Sequence, residues 1–322
     1  MIEYKSGEEL SFMKKSPHSP ECVSSIMKYA VAIDIGGTNT RVALIDGNYE
    51  IEQRIQFPTD ADDPYATMNQ IKEAIDGFDK DIVGVGMSCP GPLDLMVGKI
   101  LTTPNLHGKW HGFYVSKKLE NLIHKPVQLE NDANLAALAE AVIGEGKDSN
   151  IVQYLTVSTG LGAGLVINKE VFQGAHGFAN EVANTCLWNN GPSHGSIYPG
   201  GIEAICSGTA IEQRAKKAGL EVAHAGEVND LALQGNKVAK EIMDDVKVYL
   251  ANYIAGIQAF VDPEMVILGG SVALKIPGFV EEVESLVKEK VYAVIAPLVK
   301  VRKSTLNEDS GLLGAACLAF SK

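Results

Sequence analysis

The sequence has no long hydrophobic run and no excess of positive charge. None of its apolar runs reaches the roughly 18 residues that a membrane-spanning helix requires. Lysine and arginine together number 28 against 40 aspartates and glutamates, so the formal net charge is −12. This acidity disfavours nonspecific binding to nucleic acid or to an anionic membrane, because both attract cationic surfaces. We therefore expect neither of them as a partner.

Cysteine is scarce and scattered. The five cysteines include no CxxC pair and no set at the spacing of zinc ligands. Their odd number and wide spacing also argue against a disulfide framework, which favours a reducing, cytoplasmic location. We interpret Cys186 and Cys206 as buried thiols. Residues 1–28 lack the apolar segment of a secretion signal, and we interpret them either as a flexible leader or as residues upstream of the true start.

The order of predicted elements favours two α/β domains. A chain of 322 residues is long enough for about two domains of roughly 100–200 residues each. Short apolar runs that end in glycines, such as YAVAIDIGG at 29–37, predict buried strands, and helical patterns alternate with them. Near Ile151 the order of strand, turn and strand begins again. We predict a small domain over 29–145 and a large domain over 146–309.

Two turns rich in glycine and threonine join strands in corresponding places of the two halves. DIGGTNT covers residues 34–40, and STGLGAG covers residues 158–164. Glycines let backbone N–H groups approach an anion, and threonine hydroxyls add donors. One such turn is most simply a hairpin, but two of them, with the pair Gly269-Gly270 after a third strand, favour a polyphosphate held from both sides. P-loop and Rossmann fingerprints are both missing from the sequence.

The segment ENDAN, residues 130–134, lies where an apolar strand ends and a helix rich in alanine and leucine begins. A carboxylate at a helix N-terminus is kept ionised by the helix dipole. One interpretation of Asp132 is a helix cap. The other is a general base that takes a proton from a bound hydroxyl positioned by Asn131, an effect worth ~10²–10⁴-fold in rate.

In their order along the chain, these and other motifs resemble the ROK family of sugar kinases and sugar-responsive repressors. The matching motifs are DIGGT, GVGMSCPGPLD, TPNL, ENDAN, STGLGAGL, GAHGFANE and VILGG. The resemblance extends from about Tyr29 to the C-terminus. It implies the actin-like, hexokinase-type ATPase fold, in which two α/β domains enclose an ATP cleft and a C-terminal helix, here 310–322, returns to the first domain. It also implies a homodimeric, glucokinase-like enzyme that transfers the γ-phosphate of ATP to a sugar hydroxyl, usually on C6.

The resemblance assigns roles to individual residues. It makes Asp132 the base and Asp34 the carboxylate that reaches Mg²⁺ through water. The residues implied around the phosphates of ATP are Asp34, Gly36, Gly37, Thr38, Thr159, Gly160 and Gly162. Those implied on the adenosine side are Gly269 and Gly270. Those implied in the sugar pocket, beside the base, are Gly91, Asn105, Asn131, Glu181, Asn184 and Glu203.

The chain departs from the zinc-bearing members of the family between the two glutamates of the sugar pocket. Those relatives continue the first glutamate as ExGH and carry CxCGxxGC before the second. Aligned without gaps, the corresponding residues here are Asn184, His194, Ser196 and Gly201. Because a structural zinc needs about four nitrogen or sulfur ligands, we expect none.

The same departure affects the expected substrate. The missing histidine contacts C1 and C2 of the sugar in zinc-bearing kinases, so an N-acetylmannosamine or β-glucoside kinase is an alternative to a glucokinase. Trp188 and Tyr198 either stack on the sugar or, as we favour, pack the shortened loop.

Two hypotheses from other classes compete with the kinase. ROK repressors carry a winged helix-turn-helix of many tens of residues before the DIGGT strand, where this chain has 28 residues of polar character. The retained base and both turns also favour a kinase over a repressor. A noncatalytic sugar-binding module is the third hypothesis, and it predicts that the loss of Asp132 changes nothing measurable.

Overall fold

A computed structural model of the protein describes residues 27–306 and 308–321. Most of the segment that we interpret as a leader, residues 1–26, therefore lies outside the described residues. The strands are β1 (Tyr29–Ile35), β2 (Asn39–Asp46), β3 (Ile51–Pro58), β4 (Val85–Ser88), β5 (Leu93–Asp94), β6 (Lys99–Ile100), β7 (Val127–Glu130), β8 (Ile151–Val157), β9 (Leu161–Ile167), β10 (Glu170–Val171), β11 (Met265–Gly269) and β12 (Val301–Lys303). The helices are α1 (Pro64–Gly77), α2 (Val115–Ile123), α3 (Asp132–Val142), α4 (Ile202–Cys206), α5 (Gly208–Lys217), α6 (Ala225–Leu233), α7 (Lys237–Phe260), α8 (Ser271–Lys275), α9 (Phe279–Lys290) and α10 (Ser310–Phe320).

Two five-stranded sheets share one strand order. The first runs β3-β2-β1-β4-β7 and the second runs β10-β9-β8-β11-β12. In each sheet the central strand pairs antiparallel with its hairpin partner and parallel with the strand on its other side. The repeat predicted near Ile151 begins with β8, and the α/β class is confirmed.

Burial along the strands follows their place in the sheet. Residues Ala30 to Ile33 of β1 are all fully buried, which fits a central strand covered on both faces. β3, with the sequence IEQRIQFP, exposes most of its residues because it is an edge strand. Charged and polar side chains there discourage pairing with another chain.

Helices α3 and α10 lie between the two sheets. α3 packs on β8 and β9, α10 packs on β1 and β4, and the two helices pack on each other. A Cβ on Gly314 of α10 would lie 1.9 Å from the carbonyl oxygen of Leu135, so only glycine permits this approach. The arrangement holds the N-terminus of α3, and with it Asp132, between the two halves.

The sequence motifs predict no helix or strand over residues 273–309, although this part of the large domain contains α9 and β12, and β12 completes the second sheet. The boundary that we predict at 145/146 falls in the turns between α3 and β8; the division into domains stays a prediction. None of the helices in the described ranges is long and apolar enough to cross a bilayer.

Candidate active site

Asp132 is the first residue of α3, directly after the buried strand β7. Asn131 is the N-cap of this helix, and its side-chain oxygen accepts a hydrogen bond from the Asn134 N–H at 2.8 Å. The cap interpretation therefore applies to Asn131 and is wrong for Asp132. Asp132 instead lines a cavity in the cleft.

Three polar side chains lie at the ends of β1, β2 and β4. Asp34 and Arg41 face each other across the β1–β2 hairpin, and the Arg41 Nε donates to Asp34 Oδ2 at 3.1 Å. Ser88, beside Asp34 on β4, donates its hydroxyl to Asp34 Oδ1 at 2.9 Å. The Asp34 carboxylate is thus oriented through both of its oxygens.

This group of charges acts on Asp132. Although Asp132 is open to the cleft, protein atoms surround its carboxylate closely. This burial is the largest cause, and the negative charge of Asp34 the second, of a rise in the pKa of Asp132 to about 6. A hydrogen bond with Ser88 and the positive charge of Arg41 oppose the rise. A carboxylate with this pKa is ionised at pH 7 and is a stronger base than an ordinary aspartate.

The cavity beside Asp132 has a volume of about 510 Å³. It contains the base and three of the six residues predicted from the sequence for the sugar pocket, together with Gly162 of the second turn. The lining combines apolar side chains with amides and carboxylates. The lining residues are Cys89, Pro90, Gly91, Pro92, Leu93, Leu95, Asn131, Asp132, Ala133, Leu161, Gly162, Ala163, Gly177, Phe178, Asn180, Glu181, Val182 and Ala183.

Three residues predicted for the sugar pocket are not part of this lining. Asn105 lies against the first turn, since a Cβ on Gly37 would come within 2.6 Å of the Asn105 Cβ. The side-chain oxygen of Asn184 accepts the Tyr198 N–H at 2.8 Å and so closes the loop of residues 184–198. The Asn184 side-chain oxygen is therefore already paired within its own loop.

Glu203, the third of these residues, contacts the second turn. Its Oε2 accepts the backbone N–H of Leu161 at 2.9 Å, and a Cβ on Gly160 would lie 3.3 Å from the same oxygen. Glu203 is partly buried at the start of α4. In this structure it supports the turn between the two cavities of the cleft.

A second cavity, of about 460 Å³, lies on the other side of that turn. It includes Thr159 from the turn, the N-terminus of α5, the start of α6 and helix α8. The lining residues are Thr159, Gly208, Thr209, Glu212, His224, Ala225, Gly226, Asn229, Asp230, Ser271, Val272, Lys275, Ile276 and Pro277.

The N-terminus of α5 is docked onto the second turn. The Gly208 N–H donates to the Ser158 carbonyl at 2.6 Å, and the Thr209 hydroxyl donates to the Thr159 carbonyl at 2.6 Å. A helix N-terminus directed at a cavity favours an anion there, because its first N–H groups have no partner within the helix. The segment Ser207 to Thr209 could have been recognised from its cap residue followed by glycine.

The other residues predicted to surround ATP do not line the second cavity. Gly36, Gly37 and Thr38 form the first turn but line neither cavity. Gly269 and Gly270 end β11 and cap α8, so it is the following residues of α8 that line the second cavity. Gly162 faces α3, where its Cβ would lie 3.1 Å from the Ala133 Cβ.

The loop between Glu181 and Glu203 is packed by its own side chains. The Trp188 ring stacks on Tyr249 with 4.9 Å between centroids, as the packing interpretation predicts, whereas Tyr198 is exposed. His194 bonds Thr209 through one ring nitrogen and Gln213 through the other, each at 3.0 Å. Our interpretation of Cys186 as a buried thiol is wrong, because the loop leaves it exposed; Cys206 is buried as predicted.

Metal ligands are sparse throughout. Among residues 27–306 and 308–321 no cluster of three or more histidine, cysteine or acidic side chains is arranged to hold a metal ion. Mg²⁺ keeps several waters and binds mainly through substrate phosphates and one or two carboxylates, so it needs no such cluster, and the role of Asp34 at Mg²⁺ stays a prediction.

Some residues of the site escaped the sequence analysis. Arg41 is seven positions after Asp34, and only the register of the β1–β2 hairpin brings the two together. Ser88 lies within the quoted motif GVGMSCPGPLD but carries no signal of its own. The residues of α5, α6 and α8 around the second cavity are distant in sequence and meet only in the fold.

The repeated sheets, with the cavity that holds Asp132 between them, define the class of protein: it has the actin-like, two-domain ATPase fold of the sugar kinases. More narrowly, the chain belongs to the ROK family, whose model, described as "ROK family", matches residues 30–322.

Similar proteins include sugar kinases of different specificity. An N-acetylmannosamine kinase of Escherichia coli O1:K1 is 33% identical over 290 residues, covering 90% of this chain and 97% of the relative. The ROK hexokinase of Thermus thermophilus has a crystal structure that matches with a TM-score of 0.82 and 31% identity, covering 91% and 98% of the two chains. A ROK glucokinase of Streptomyces griseus, in complex with glucose and AMPPNP, matches with a TM-score of 0.67 and 25% identity, covering 91% and 100%.

Proposed function

We propose that the protein is an ATP-dependent sugar kinase that transfers the γ-phosphate to a hydroxyl, on C6, of a hexose or an N-acylhexosamine. The single observation that carries this proposal is the position of Asp132. It lines the cavity of about 510 Å³ together with Leu161 and Gly162 of the second turn, and Thr159 of the same turn lines the second cavity. An acceptor sugar in the first cavity and a nucleotide in the second would meet at this turn.

Asp132 is suited to the role of general base. With a pKa of about 6 it is ionised at neutral pH, and it can take the proton of a sugar hydroxyl as that oxygen attacks the γ-phosphorus. The proton moves to the carboxylate, and the bond between the γ-phosphorus and the bridging oxygen of ADP breaks. Phosphoryl transfer needs mainly positioning and neutralisation of charge, which the two glycine turns supply through backbone N–H groups.

Mg²⁺, bound through the ATP phosphates and water near Asp34, would supply charge neutralisation during transfer. In our proposal Arg41 orients Asp34 for this contact. Gly36, Gly37 and Thr38 bound the phosphates on one side, and Thr159 and Gly160 bound them on the other. Gly269 and Gly270 set the start of α8, which closes the adenosine side.

Apolar side chains in the lining favour a substrate larger than a plain hexose as a second candidate. Leu93, Leu95, Phe178 and Val182 are among the residues that line the sugar cavity, and a hexose offers few apolar groups to contact them. The methyl group of an N-acyl substituent would add such a contact, and each buried methyl or methylene group is worth about 1–3 kcal/mol of discrimination. This observation favours an N-acylhexosamine, such as N-acetylmannosamine, over glucose, and the aglycone of a β-glucoside would make similar contacts.

A panel of sugars tests the proposal. ADP release would be measured with ATP and Mg²⁺ against glucose, mannose, fructose, N-acetylmannosamine, N-acetylglucosamine and cellobiose. We expect sugar-dependent release with at least one of them and higher kcat/KM for an N-acyl sugar than for its parent. Release with none of the six would refute the kinase, and specific binding to an operator duplex at physiological salt would favour the repressor.

We also propose a homodimer and a cytoplasmic location. The family resemblance implies the first, and the scattered cysteines suit a reducing compartment. Light scattering at micromolar concentration measures the mass: about twice 34.4 kDa supports a dimer, and a single chain mass contradicts it.

A further inference from the structure

Glu130 is a completely buried carboxylate directly before the segment that carries the base. Its partners are three N–H groups, none of them a cation. Oε1 accepts from the Asn131 backbone at 3.0 Å and from the Asn134 side chain at 2.8 Å. Oε2 accepts from the Gln173 side chain at 2.8 Å. A carboxylate removed from water is costly, so these bonds are needed to keep it in place.

Gln173 belongs to the other half of the molecule. It follows β10 and begins the segment that forms a wall of the sugar cavity, including Gly177, Phe178 and Glu181. Its carbonyl accepts the Ala179 N–H at 3.1 Å, which closes residues 173–179 into a loop. Glu130 therefore bonds the base segment with one oxygen and this loop with the other.

We propose that Glu130 and Gln173 are a pair of positioning residues: their hydrogen bond fixes the sugar-binding loop, residues 174–181, relative to the base Asp132. The inference rests on the proposed function, because it assumes that the loop contacts the acceptor sugar. Neither side chain touches the reacting atoms. Each acts through a neighbour, Glu130 through Asn131 and Asn134, and Gln173 through the backbone of the loop.

A second observation shows that the pair is close to the predicted sugar ligand. The pKa of Glu181 is raised, mainly by burial and to a smaller extent by the negative charge of Glu130. The far end of the loop is fixed separately, because the buried Gln153 side chain donates to the Asn180 side chain at 2.9 Å. With both ends held, the loop presents Glu181 to the cavity in one place. Small displacements of a substrate or catalytic group are expensive in rate.

The first test replaces the donor. Q173L removes the N–H and keeps the bulk, while the bonds from Glu130 to Asn131 and Asn134 remain. We expect the KM for the sugar to rise about tenfold or more, because a bond to a charged group is lost, with the KM for ATP unchanged. Q258L is the control: Gln258 is buried in α7, lines neither cavity, and its side-chain nitrogen has no hydrogen-bond partner.

The second test exchanges the pair. Q173E sets two carboxylates against each other and should raise the sugar KM more than Q173L does. E130Q should raise the sugar KM less, because the Gln173 amide can rotate so that its oxygen accepts a hydrogen bond from the new side-chain NH₂ group. The double variant E130Q/Q173E restores one donor opposite one acceptor, and its sugar KM should return close to that of E130Q. Recovery in the double variant measures the coupling of the pair directly.

Hydrogen exchange separates this inference from the proposed function. In Q173L the amide of Ala179 and its neighbours in the loop should exchange at least tenfold faster, while β8 and β9 stay as in the wild type. Faster exchange in the loop with unchanged sugar KM would overturn the positioning role, as would equal exchange in Q173L and wild type. If the wild type phosphorylates no sugar, the kinase is refuted, and the exchange result still decides whether the two residues hold the loop.

Discussion

The two hairpin turns of the protein have the same topology but differ in the charge and size of their side chains. In the first sheet Asp34 faces Arg41 across the hairpin and Ser88 on the parallel strand. In the second sheet the corresponding positions are Thr156, Gly162 and Gly269. The first turn carries an ion pair, and the second carries small and neutral residues.

The neighbours of each turn account for the difference. Gly162 is next to α3, and a Cβ there would lie 3.1 Å from Ala133 and 3.2 Å from the Thr156 methyl group. The small residues of the second turn thus make room for the helix that carries Asp132. The first turn keeps its charged groups, and Asp34 is close enough to Asp132 to raise the pKa of that residue. One turn positions the base and the other supplies charge.

The largest expected effect belongs to the base. D132N should lower kcat by about 10³-fold, within the range of ~10²–10⁴ for general-base catalysis, and should leave sugar binding measurable by calorimetry. Full turnover in D132N would refute the assignment of the base.

The same variant should be more stable than the wild type at pH 8. The pKa of Asp132 is about 6 in the folded protein against an ordinary value of 3.8, so the folded state loses stability as the pH rises through this interval. Asparagine does not ionise, so D132N does not lose this stability. The difference in melting temperature should be present at pH 8 and disappear at pH 3.5; a difference that is the same at both pH values would contradict the pKa.

The second prediction concerns the space at the second turn. G162A forces the N-terminus of α3 to move by a few tenths of an ångström and should lower kcat by about tenfold, since a shift of 1 Å costs about 10²-fold. G256A is the control, because no atom lies within 4 Å of its added Cβ in α7. It should leave the rate unchanged and stabilise the protein by about 0.5–1 kcal/mol. An equal loss of activity in both variants would contradict the claim that Gly162 positions the N-terminus of α3.

The third prediction concerns the charge at the first turn. Arg41 lowers the pKa of Asp132, so R41M should raise that pKa and move the acid limb of kcat/KM to higher pH. The variant then loses more activity at pH 6 than at pH 8.5. A pH profile of each enzyme with its best sugar measures this, and an unmoved or lower acid limb would contradict the electrostatic account.

The smallest effect is expected at Lys169, in the turn between β9 and β10. Its ammonium nitrogen lies within hydrogen-bond distance of four carbonyl oxygens at the end of α3 and in the segment after it, those of Ala141 (2.5 Å), Lys147 (2.6 Å), Ser149 (2.9 Å) and Gly146 (3.3 Å). K169M should cost about 1–2 kcal/mol of stability without moving the acid limb.

A companion variant separates the charge from the backbone. Lys169 has a φ of 66°, a left-handed conformation that glycine adopts more easily. K169G should therefore recover about 1 kcal/mol relative to K169M. Chemical denaturation measures both, and a K169G that is less stable than K169M would contradict this division.

Local patterns predicted much of this fold. The apolar run of β1 and the helix that begins within ENDAN both depend on neighbouring residues, and both are present. The repeat of the strand order was also visible, because each half begins with the same strand and turn. α9 and β12 were not predicted, since β12 has only three residues and neither element adjoins a recognised motif.

The candidate site was predictable where a motif is contiguous. Asp132, Asn131, Gly91 and Glu181 line one cavity, although their roles stay predictions. The pairing of Asp34 with Arg41 depends on hairpin register. Glu203 was assigned to the sugar by resemblance, yet its carboxylate bonds the Leu161 N–H, a contact between distant segments that no local pattern encodes.

The central claim is that the γ-phosphate passes to a sugar hydroxyl at Asp132. It is tested most directly by phosphorus NMR of a reaction with ATP, Mg²⁺ and the best sugar of the panel. We predict one sugar phosphate, substituted at C6, formed in equal amount with ADP by the wild type and undetectable on the same time scale with D132N. ADP without a sugar phosphate, or the same product from D132N at the wild-type rate, would contradict the account.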